Sequence, residues 1–262
     1  MTNQLAGQAA LVTGAGRGIG QAIANSLAAA GASVGVVSRN QSELDDTVNG
    51  ITSSGGLAYA ARADVRNPES VLAAVEAVSQ HLGPVSILVN NAGAPGPVGN
   101  DWEVDADGWW ECIESIVRGA FLFNRVVIPG MIARGGGRII NVASASGTRA
   151  PGMPIFASSI AKTALIRLSE ELAQTARKSG IASFAIHPGI VNTKLLSSYG
   201  LAIPESTFAS PERAGLLCAR LASGHYDSLS GRYLTIDDDL DALTARADEI
   251  IKDELLTLRI KD

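Results

Sequence analysis

The sequence predicts a doubly wound α/β fold, a single domain built on a seven-stranded parallel sheet. Short apolar segments rich in β-branched residues alternate with amphipathic segments of helical length along almost the whole chain. The strand-sized segments are apolar at successive positions, which is typical of parallel strands covered by helices on both faces. No linker or internal repeat interrupts this pattern over 262 residues.

The predicted elements alternate in order along the chain. Strands are expected at residues 9–14, 33–38, 57–64, 85–93, 137–144, 181–189 and 231–236. Helices are expected at residues 17–30, 42–53, 68–82, 106–133, 158–178, 211–221 and 240–258, the last within a helical tail over 240–262. Pro68 suits a first helical turn and Gly180 suits a helix stop. Ligands of doubly wound sheets bind beyond the carboxyl ends of the strands, so functional residues are expected in the loops that follow them.

Composition limits the class of partner. Hydrophobic residues make up 46% and charged residues 18% of the chain, and the net charge is −5 without a basic stripe, so nucleic acid is not expected. Cys112 and Cys218 are the only cysteines, which predicts reduced thiols in a cytoplasmic protein. No signal peptide is evident and the unbroken apolar runs are strand-sized, so no membrane association is expected. The histidines show no metal-ligand spacing, and no metal is expected.

A glycine-rich turn, "TGAGRGIG" at 13–20, joins the first strand to the first helix. Glycines allow a tight turn and a close approach of the backbone to a phosphate, and the helix N-terminus presents free N–H groups and a partial positive charge. The spacing is GxxxGxG, which differs from the GxGxxG of the general dinucleotide fingerprint. The turn is predicted to bind a pyrophosphate through Gly14, Arg17, Gly18, Ile19 and Gly20.

The end of the second strand indicates which dinucleotide is bound. Sites that prefer NAD usually carry an acidic residue there, which accepts hydrogen bonds from the ribose 2′-hydroxyl. This chain carries Ser38 and Arg39 instead, and Arg17 adds a second cation. A guanidinium suits a 2′-phosphate by charge and by its forked donors, so NADP(H) is favoured over NAD(H), which stays possible. Asp64 and Val65, after the third strand, are expected beside the adenine.

Taken in order, these motifs resemble the short-chain dehydrogenase/reductase family of the single-domain, Rossmann-like type. The resemblance also rests on "NNAG" at 90–93, "GRIINVAS" at 137–144, the helix that contains Lys162, and "HPGIVNT" at 187–193. It implies that Lys162 hydrogen-bonds the nicotinamide ribose, and that the long helix 106–133 and the Lys162 helix form a homodimer or homotetramer interface. The other cofactor contacts that it implies are Asn91, Ala92, Gly93, Pro188, Gly189, Val191 and Thr193.

The chain departs from the family pattern where the chemistry takes place. The family uses a serine, a lysine, an asparagine and a tyrosine four residues before the lysine. Ser144 and Lys162 match the first two, but Ser158 stands in the tyrosine slot and Ile116 in the asparagine slot. A serine hydroxyl is far less acidic than a phenol, so Ser158 is expected to donate a hydrogen bond or hold a water rather than act as an ordinary acid.

Several functions stay compatible with this site. The favoured hypothesis is an oxidoreductase that transfers hydride by a non-standard route, to an activated acceptor such as an iminium or to a carbonyl assisted by water, Ser144 and Ser158. The alternatives are a non-redox cyclase or isomerase that uses the pocket as a template, a non-catalytic binding protein, and a carbonyl reductase inactivated at 158. The small-molecule substrate is expected between the 94–101 loop and a lid at 194–209, with Trp102 as a candidate wall.

Overall fold

The computed structural model describes residues 3–150 and 152–260 and contains a seven-stranded parallel sheet in the order β3-β2-β1-β4-β5-β6-β7. The strands are β1 Ala9–Thr13, β2 Ser33–Ser38, β3 Leu57–Arg62, β4 Val85–Asn90, β5 Gly137–Val142, β6 Ile181–His187 and β7 Tyr233–Thr235. The order reverses direction between β1 and β4, which is the switch point at which such sheets open a crevice. The predicted fold class is therefore confirmed.

Ten α-helices accompany the sheet in the described part of the chain. They are α1 Gly18–Ala29, α2 Gln41–Ser53, α3 Pro68–Leu82, α4 Ala106–Ile113, α5 Gly119–Ala133, α6 Phe156–Thr175, α7 Lys194–Ser197, α8 Pro211–Ala222, α9 Leu240–Ala245 and α10 Ala247–Lys252. Local sequence fixes several starts. The side chains of Asn40, Asn67 and Asp105 each accept a hydrogen bond from a first-turn backbone N–H, and Pro68 occupies the first turn of α3.

Four of the strands end clearly earlier than the sequence predicted, whereas β2 ends at Ser38 as expected. β3 ends at Arg62, β4 at Asn90, β5 at Val142 and β6 at His187, two to three residues before the predicted ends. The residues beyond these ends are the polar and glycine-containing motifs, which leave the sheet to form loops above its carboxyl edge. The apolar pattern did not show where pairing stops, because the motif residues continue as small or apolar side chains.

The long predicted helix over 106–133 exists but is not α-helical throughout. Residues Glu114–Arg118 form a π-helical turn between α4 and α5, and single π turns inside α-helices often occur at functional sites. By length and composition this helix is able to cross a membrane, a feature that counting unbroken apolar runs did not show. Phe123 and Met131 are nevertheless fully buried in the core against the sheet, as in the core helix of a globular domain.

The predicted tail helix over 240–258 is wrong as a single element. Asp239 caps α9, α10 ends at Lys252, and turns follow in which Glu254 and Leu256 have φ of 50° and 58°. Positive φ is incompatible with a right-handed helix, so the helix cannot continue. The tail instead packs back on the body, where the backbone N–H of Leu258 donates to Glu170. Residues 261–262 of the predicted tail lie outside the described residues.

Candidate active site

A cleft of about 1080 Å³ opens above the carboxyl edge of the sheet. The structure brings every residue predicted for catalysis or cofactor binding to the lining of this one cleft. They are Gly14, Arg17, Gly18, Ile19, Gly20, Ser38, Arg39, Asp64, Val65, Asn91, Ala92, Gly93, Ser144, Ser158, Lys162, Pro188, Gly189, Val191 and Thr193. The clustering is geometric, and the role of each residue follows from its own contacts.

The glycine turn forms a cradle with no room for side chains. A Cβ at Gly14 would lie 2.9 Å from the Cα of Ala92, and one at Gly20 would lie 2.2 Å from the carbonyl oxygen of Gly14. Gly14 and Gly18 also have φ of 64° and 57°, which glycine adopts at little cost. Since α1 begins at Gly18, the cradle presents helix N-terminal N–H groups, and this arrangement fits a pyrophosphate.

Asn91 ties this cradle to the neighbouring strand β4. Its side-chain amide donates to the carbonyl oxygens of Thr13 at 2.9 Å and Gly14 at 3.1 Å. The Thr13 hydroxyl in turn accepts from the backbone N–H groups of Asn91 and Ala92, each at 3.0 Å. These bonds lock β1 to β4 across the switch point, so the cradle is rigid before any ligand arrives.

The far end of the cleft, where the sequence predicts the adenosine, holds opposed charges. Arg17 pairs with Glu43 at 2.6 Å, and Arg39 lies 3.8 Å from Glu111 with its side chain 63% exposed. Glu43, in the first turn of α2, was not predicted as a site residue, although the sequence shows an acid four residues after Arg39. The cations predicted for a 2′-phosphate are therefore present, but each has an acidic neighbour, and Arg17 is the more closely paired of the two.

Asp64 is held in place at the same end of the cleft. Arg66 donates to both of its carboxylate oxygens, and this hydrogen bonding lowers the pKa of Asp64 against the opposing effect of burial. Arg66 also donates to Glu111 at 2.8 Å. Asp64 is thus an ionised acceptor fixed two residues beyond the end of β3, where the sequence predicted the adenine contact.

Lys162 lies in α6 and reaches the carboxyl end of β5. Its ammonium group donates to the backbone carbonyl of Val142 at 2.5 Å. Desolvation lowers the pKa of Lys162 to about 8, and the charge interaction with the thiol of Cys112 opposes that change. Ser144, at the end of the same strand, accepts from the backbone N–H of Ser146 at 3.3 Å and from its hydroxyl at 3.2 Å. The two groups retained from the family pattern therefore lie on one wall of the cleft.

Ser158 lies one helical turn before Lys162, in the first turn of α6, and lines the cleft. Helix α6 starts at Phe156, two residues earlier than predicted, and this places Ser158 inside the helix rather than at its first position. Its side chain is half-buried and ends far short of the reach that a tyrosine would have from the same position.

Ile116 makes the asparagine slot apolar. It lies in the π turn, is 3% exposed, and its Cγ1 would be 3.0 Å from a Cβ built on Gly93. The adjacent Ser115 hydroxyl is already used, because it accepts from the N–H of Ala94 and donates to the carbonyl of Cys112. The π turn is therefore present, but the side chain that it presents at 116 carries no hydrogen-bonding group.

The structure also adds residues that sequence reasoning missed and removes one that it proposed. Trp102 is 81% exposed and does not line the cleft, so it is not a wall of the pocket. Tyr199, in the segment 194–209, is 7% exposed and lines the cleft. The only signal in the sequence was that Tyr199 is the one tyrosine of that segment. Within residues 3–150 and 152–260, no group of three or more His, Cys, Asp or Glu could hold a metal ion.

A parallel sheet with a glycine cradle at its switch point and a lysine across the cleft defines a dinucleotide-binding α/β protein. A sequence model of the short chain dehydrogenase family matches residues 8–202. The chain therefore belongs to the short-chain dehydrogenase/reductase family, and it is an oxidoreductase of that family with a site for a nicotinamide cofactor.

Three individual proteins illustrate the similarity. A short chain dehydrogenase of Pseudocercospora fijiensis is 39% identical over 195 residues, covering 73% of this chain and 62% of the fungal protein, which is less than two thirds of its length. The cyclohexanol dehydrogenase of Acinetobacter sp. is 31% identical over 243 residues, covering 90% of this chain and 96% of that protein. The structure of actinorhodin polyketide ketoreductase with NADPH superposes with a TM-score of 0.82 at 28% identity, covering 90% and 97% of the two chains.

Proposed function

We propose that this protein is an NADP(H)-dependent oxidoreductase that transfers hydride without a tyrosine at position 158. The proposal depends on one observation, which is that a single cleft combines an intact cofactor site with an altered catalytic site. The phosphate cradle, Ser144 and Lys162 are intact, whereas Ser158 and Ile116 occupy the tyrosine and asparagine slots. The chain thus keeps the groups that hold a cofactor and lacks the groups that ordinarily protonate a ketone.

The cofactor assignment is supported by the residues at the two ends of the cleft. A bound nicotinamide would supply hydride at the Lys162 end, where Lys162 would hold the ribose hydroxyls. Arg17 and Arg39 would face a 2′-phosphate at the other end, and neither β2 nor its loop carries an acid in the position that selects NAD. The ketoreductase with a similar structure was solved with NADPH, which supports the same choice.

The proton route follows from what the remaining groups can do. Acceptors that already carry positive charge, such as iminium ions, need no proton during hydride addition. A carbonyl acceptor needs a proton on its oxygen, and the hydroxyls of Ser144 and Ser158 both line the cleft where that oxygen would lie. General acid–base assistance is typically worth about 10²- to 10⁴-fold in rate, so this distinction decides which substrates react quickly.

The decisive experiment measures cofactor and substrate together. Purified protein is incubated with NADPH and separate panels of ketones and cyclic iminium ions, with absorbance and product followed in the same sample. Stoichiometric NADPH oxidation and reduced product are expected. Product formed without net NADPH oxidation would instead identify a cyclase or isomerase. Calorimetric binding of NADPH with no conversion across the panels would identify a non-catalytic binding protein.

We also propose that the protein forms a homodimer or homotetramer through the long helix and α6. Large apolar side chains on these helices stand exposed in the single chain: Trp110 is 54%, Phe121 52% and Ile160 49% exposed. Large exposed apolar side chains on these helices support association through them. Light scattering on the wild type and on the Phe121→Glu variant tests the proposal, and a wild-type protein that is monomeric at micromolar concentration would refute it.

A further inference from the structure

Tyr199 is placed unusually for a residue in a connecting segment. It follows the short helix α7, which Thr193 caps by accepting from the N–H of Leu196. The Tyr199 side chain turns inward, is 7% exposed, and lines the same cleft as Ser158 and Lys162. The segment 194–209, for which no catalytic group was predicted, thus delivers a phenol into the site.

The hydroxyl of Tyr199 lies in a recess formed by three elements. Burial raises the pKa of Tyr199, and the charge of Cys112 of α4 acts in the same direction, whereas Ser158 of α6 and the backbone of Gly96 act to lower it. The Gly96 loop packs closely here, since a Cβ on Gly96 would be 2.8 Å from that of Ala157 and 3.4 Å from the sulfur of Cys112. Among the described residues no group makes a hydrogen bond of ordinary geometry to this hydroxyl.

A buried phenol hydroxyl without a hydrogen-bond partner destabilises a folded protein, because it has given up its bonds to water. Natural structures retain such groups where a ligand or water completes them. Tyr199 and Ser158 line the same cleft, and the Ser158 side chain acts to lower the pKa of Tyr199, so the two hydroxyls lie in the same part of the cleft. This region of the cleft therefore still contains a phenol, but a different segment of the chain supplies it.

We propose that Tyr199 is the proton source for carbonyl reduction in this protein, acting on the substrate through the hydroxyl of Ser158. The inference rests on the proposed hydride transfer and applies to the case in which the hydride acceptor is a carbonyl. The carbonyl carbon accepts the hydride, and the C=O π electrons move onto oxygen. That oxygen takes the proton of Ser158, whose own oxygen takes the proton of Tyr199. Solvent water then returns a proton to the phenolate and leaves as hydroxide, so the net proton comes from bulk solvent.

The pairing of the Ser158 and Tyr199 hydroxyls explains why a serine at position 158 is sufficient for proton transfer. A serine alone is a poor acid, but a hydroxyl that receives a proton as it gives one never develops a full negative charge. Ser158 thus relays a proton instead of supplying one. Helix α6 fixes its position, and the segment that carries Tyr199 brings the phenol to it.

The test compares two classes of substrate, of which one needs a proton during hydride addition and the other does not. Cyclohexanone or a larger aryl ketone requires protonation, whereas N-methyl-dihydroisoquinolinium does not. In the Tyr199→Phe variant, which loses one oxygen atom, kcat for the ketone is expected to fall by about 10²-fold or more with KM little changed. The rate for the iminium is expected to stay within about twofold of wild type, on the same general acid–base argument. Tyr59→Phe is the matched control, because Tyr59 stacks on His81 and does not line the cleft.

A second readout does not depend on turnover. In protein labelled with carbon-13 at tyrosine Cζ, the Tyr199 resonance is identified by its loss in Tyr199→Phe. It is expected to move in Ser158→Ala, while the resonance of Tyr59 stays fixed. Calorimetry with NADPH and thermal melting check that the variants still fold and bind cofactor.

The outcomes separate this inference from the proposed function. Equal losses for ketone and iminium in Tyr199→Phe, or no loss for either, would overturn the role of Tyr199 while leaving hydride transfer intact. A wild type that reduces the iminium and no ketone would overturn it too. A wild type that oxidises NADPH with neither class would refute the proposed function itself. An unmoved Tyr199 resonance in Ser158→Ala would contradict the contact on which the relay depends.

Discussion

The guanidinium of Arg17 lies 2.6 Å from the carboxylate of Glu43 at the end of the cleft predicted to receive the adenosine. The side chains are 51% and 27% exposed, so this is a surface ion pair of modest strength. Its importance lies in its position. A cation predicted to bind a 2′-phosphate is held by an acid that would repel the same group.

Replacing Glu43 by Gln is expected to strengthen NADPH binding. Removing the carboxylate frees Arg17 and ends the repulsion of a 2′-phosphate, and exposed pairs of this kind correspond to about two- to fivefold in affinity. NADH binding should change little, and calorimetry measures both. Asp45→Asn is the control, because Asp45 is an acid of the same helix that does not line the cleft. A selective loss of NADH affinity in Glu43→Gln would show that Glu43 holds a ribose 2′-hydroxyl and would reverse the cofactor assignment.

Lys162 gives a pH dependence whose sign is fixed by its burial. Desolvation lowers its pKa from 10.5 to about 8, so the folded protein loses this positive charge as the pH rises through about 8. NADPH affinity is therefore expected to fall above that pH, and Lys162→Met should bind weakly with a flatter profile. Lys178→Met, outside the cleft, should keep the wild-type profile. A wild-type affinity that is constant from pH 7 to about 9 would contradict the shift.

The same group affects the stability of the protein without cofactor. Between about pH 8 and 10.5 the unfolded chain holds a proton that the folded Lys162 has released, so this residue makes stability increase with pH over that window. Denaturant unfolding of wild type and Lys162→Met measures the difference between their pH profiles. A difference that does not change over this window would show that the lysine is not desolvated.

The sequence predicted the sheet and the cofactor cleft because both depend on local patterns. Apolar runs such as residues 33–38 define strands, and Gly14, Gly18 and Gly20 are needed wherever a backbone must approach a phosphate. Arg39 could also be predicted, because a cationic residue directly after the second strand is enough to indicate a 2′-phosphate. These features require only the type of residue and its neighbours in sequence.

The parts that sequence reasoning missed depend on contacts between distant segments. The carboxylate of Glu43 reaches Arg17 from a different helix. Tyr199 enters the cleft lining that it shares with Ser158 from 41 positions along the chain, and no periodicity marks a single aromatic residue that turns inward from a loop. The tail was mispredicted because its apolar residues pack through turns, including the Leu258 contact to Glu170, instead of along one helix face.

Glu170 is expected to anchor that tail. Its carboxylate is 3% exposed, accepts from the N–H of Leu258 at 2.6 Å, and pairs with Arg167 and with Arg259 at 3.2 Å. Glu170→Ala leaves the N–H of Leu258 without its acceptor and removes one partner each from Arg167 and Arg259, which both keep the carbonyl of Leu258. It is expected to cost about 1–3 kcal/mol of unfolding free energy. Increased proteolysis near the C-terminus should accompany it. Glu171→Ala, an exposed neighbour on α6, should change stability by less than about 0.5 kcal/mol. Equal losses of stability in Glu170→Ala and Glu171→Ala would contradict the role of Glu170 in anchoring the tail.

Restoring a phenol at position 158 tests the assignment of the whole site. Ser158→Tyr places a tyrosine four residues before Lys162, whose charge lowers the pKa of a nearby phenol, and the cleft is open at that point. Ketone reduction is expected to rise, by up to about 10²-fold, and Ile116→Asn should add to it by supplying a polar group at the π turn. In the Ser158→Tyr background, Tyr199→Phe should no longer lower the rate of ketone reduction, because the proton then has a direct donor.

Ser159→Tyr is the control, since the Ser159 hydroxyl donates back to the carbonyl of Ile155 and Ser159 does not line the cleft. The double variant Ser158→Tyr with Ile116→Asn, still binding NADPH, could fail to raise ketone reduction. That result would mean that positions 158 and 116 do not correspond to the tyrosine and asparagine of the family pattern.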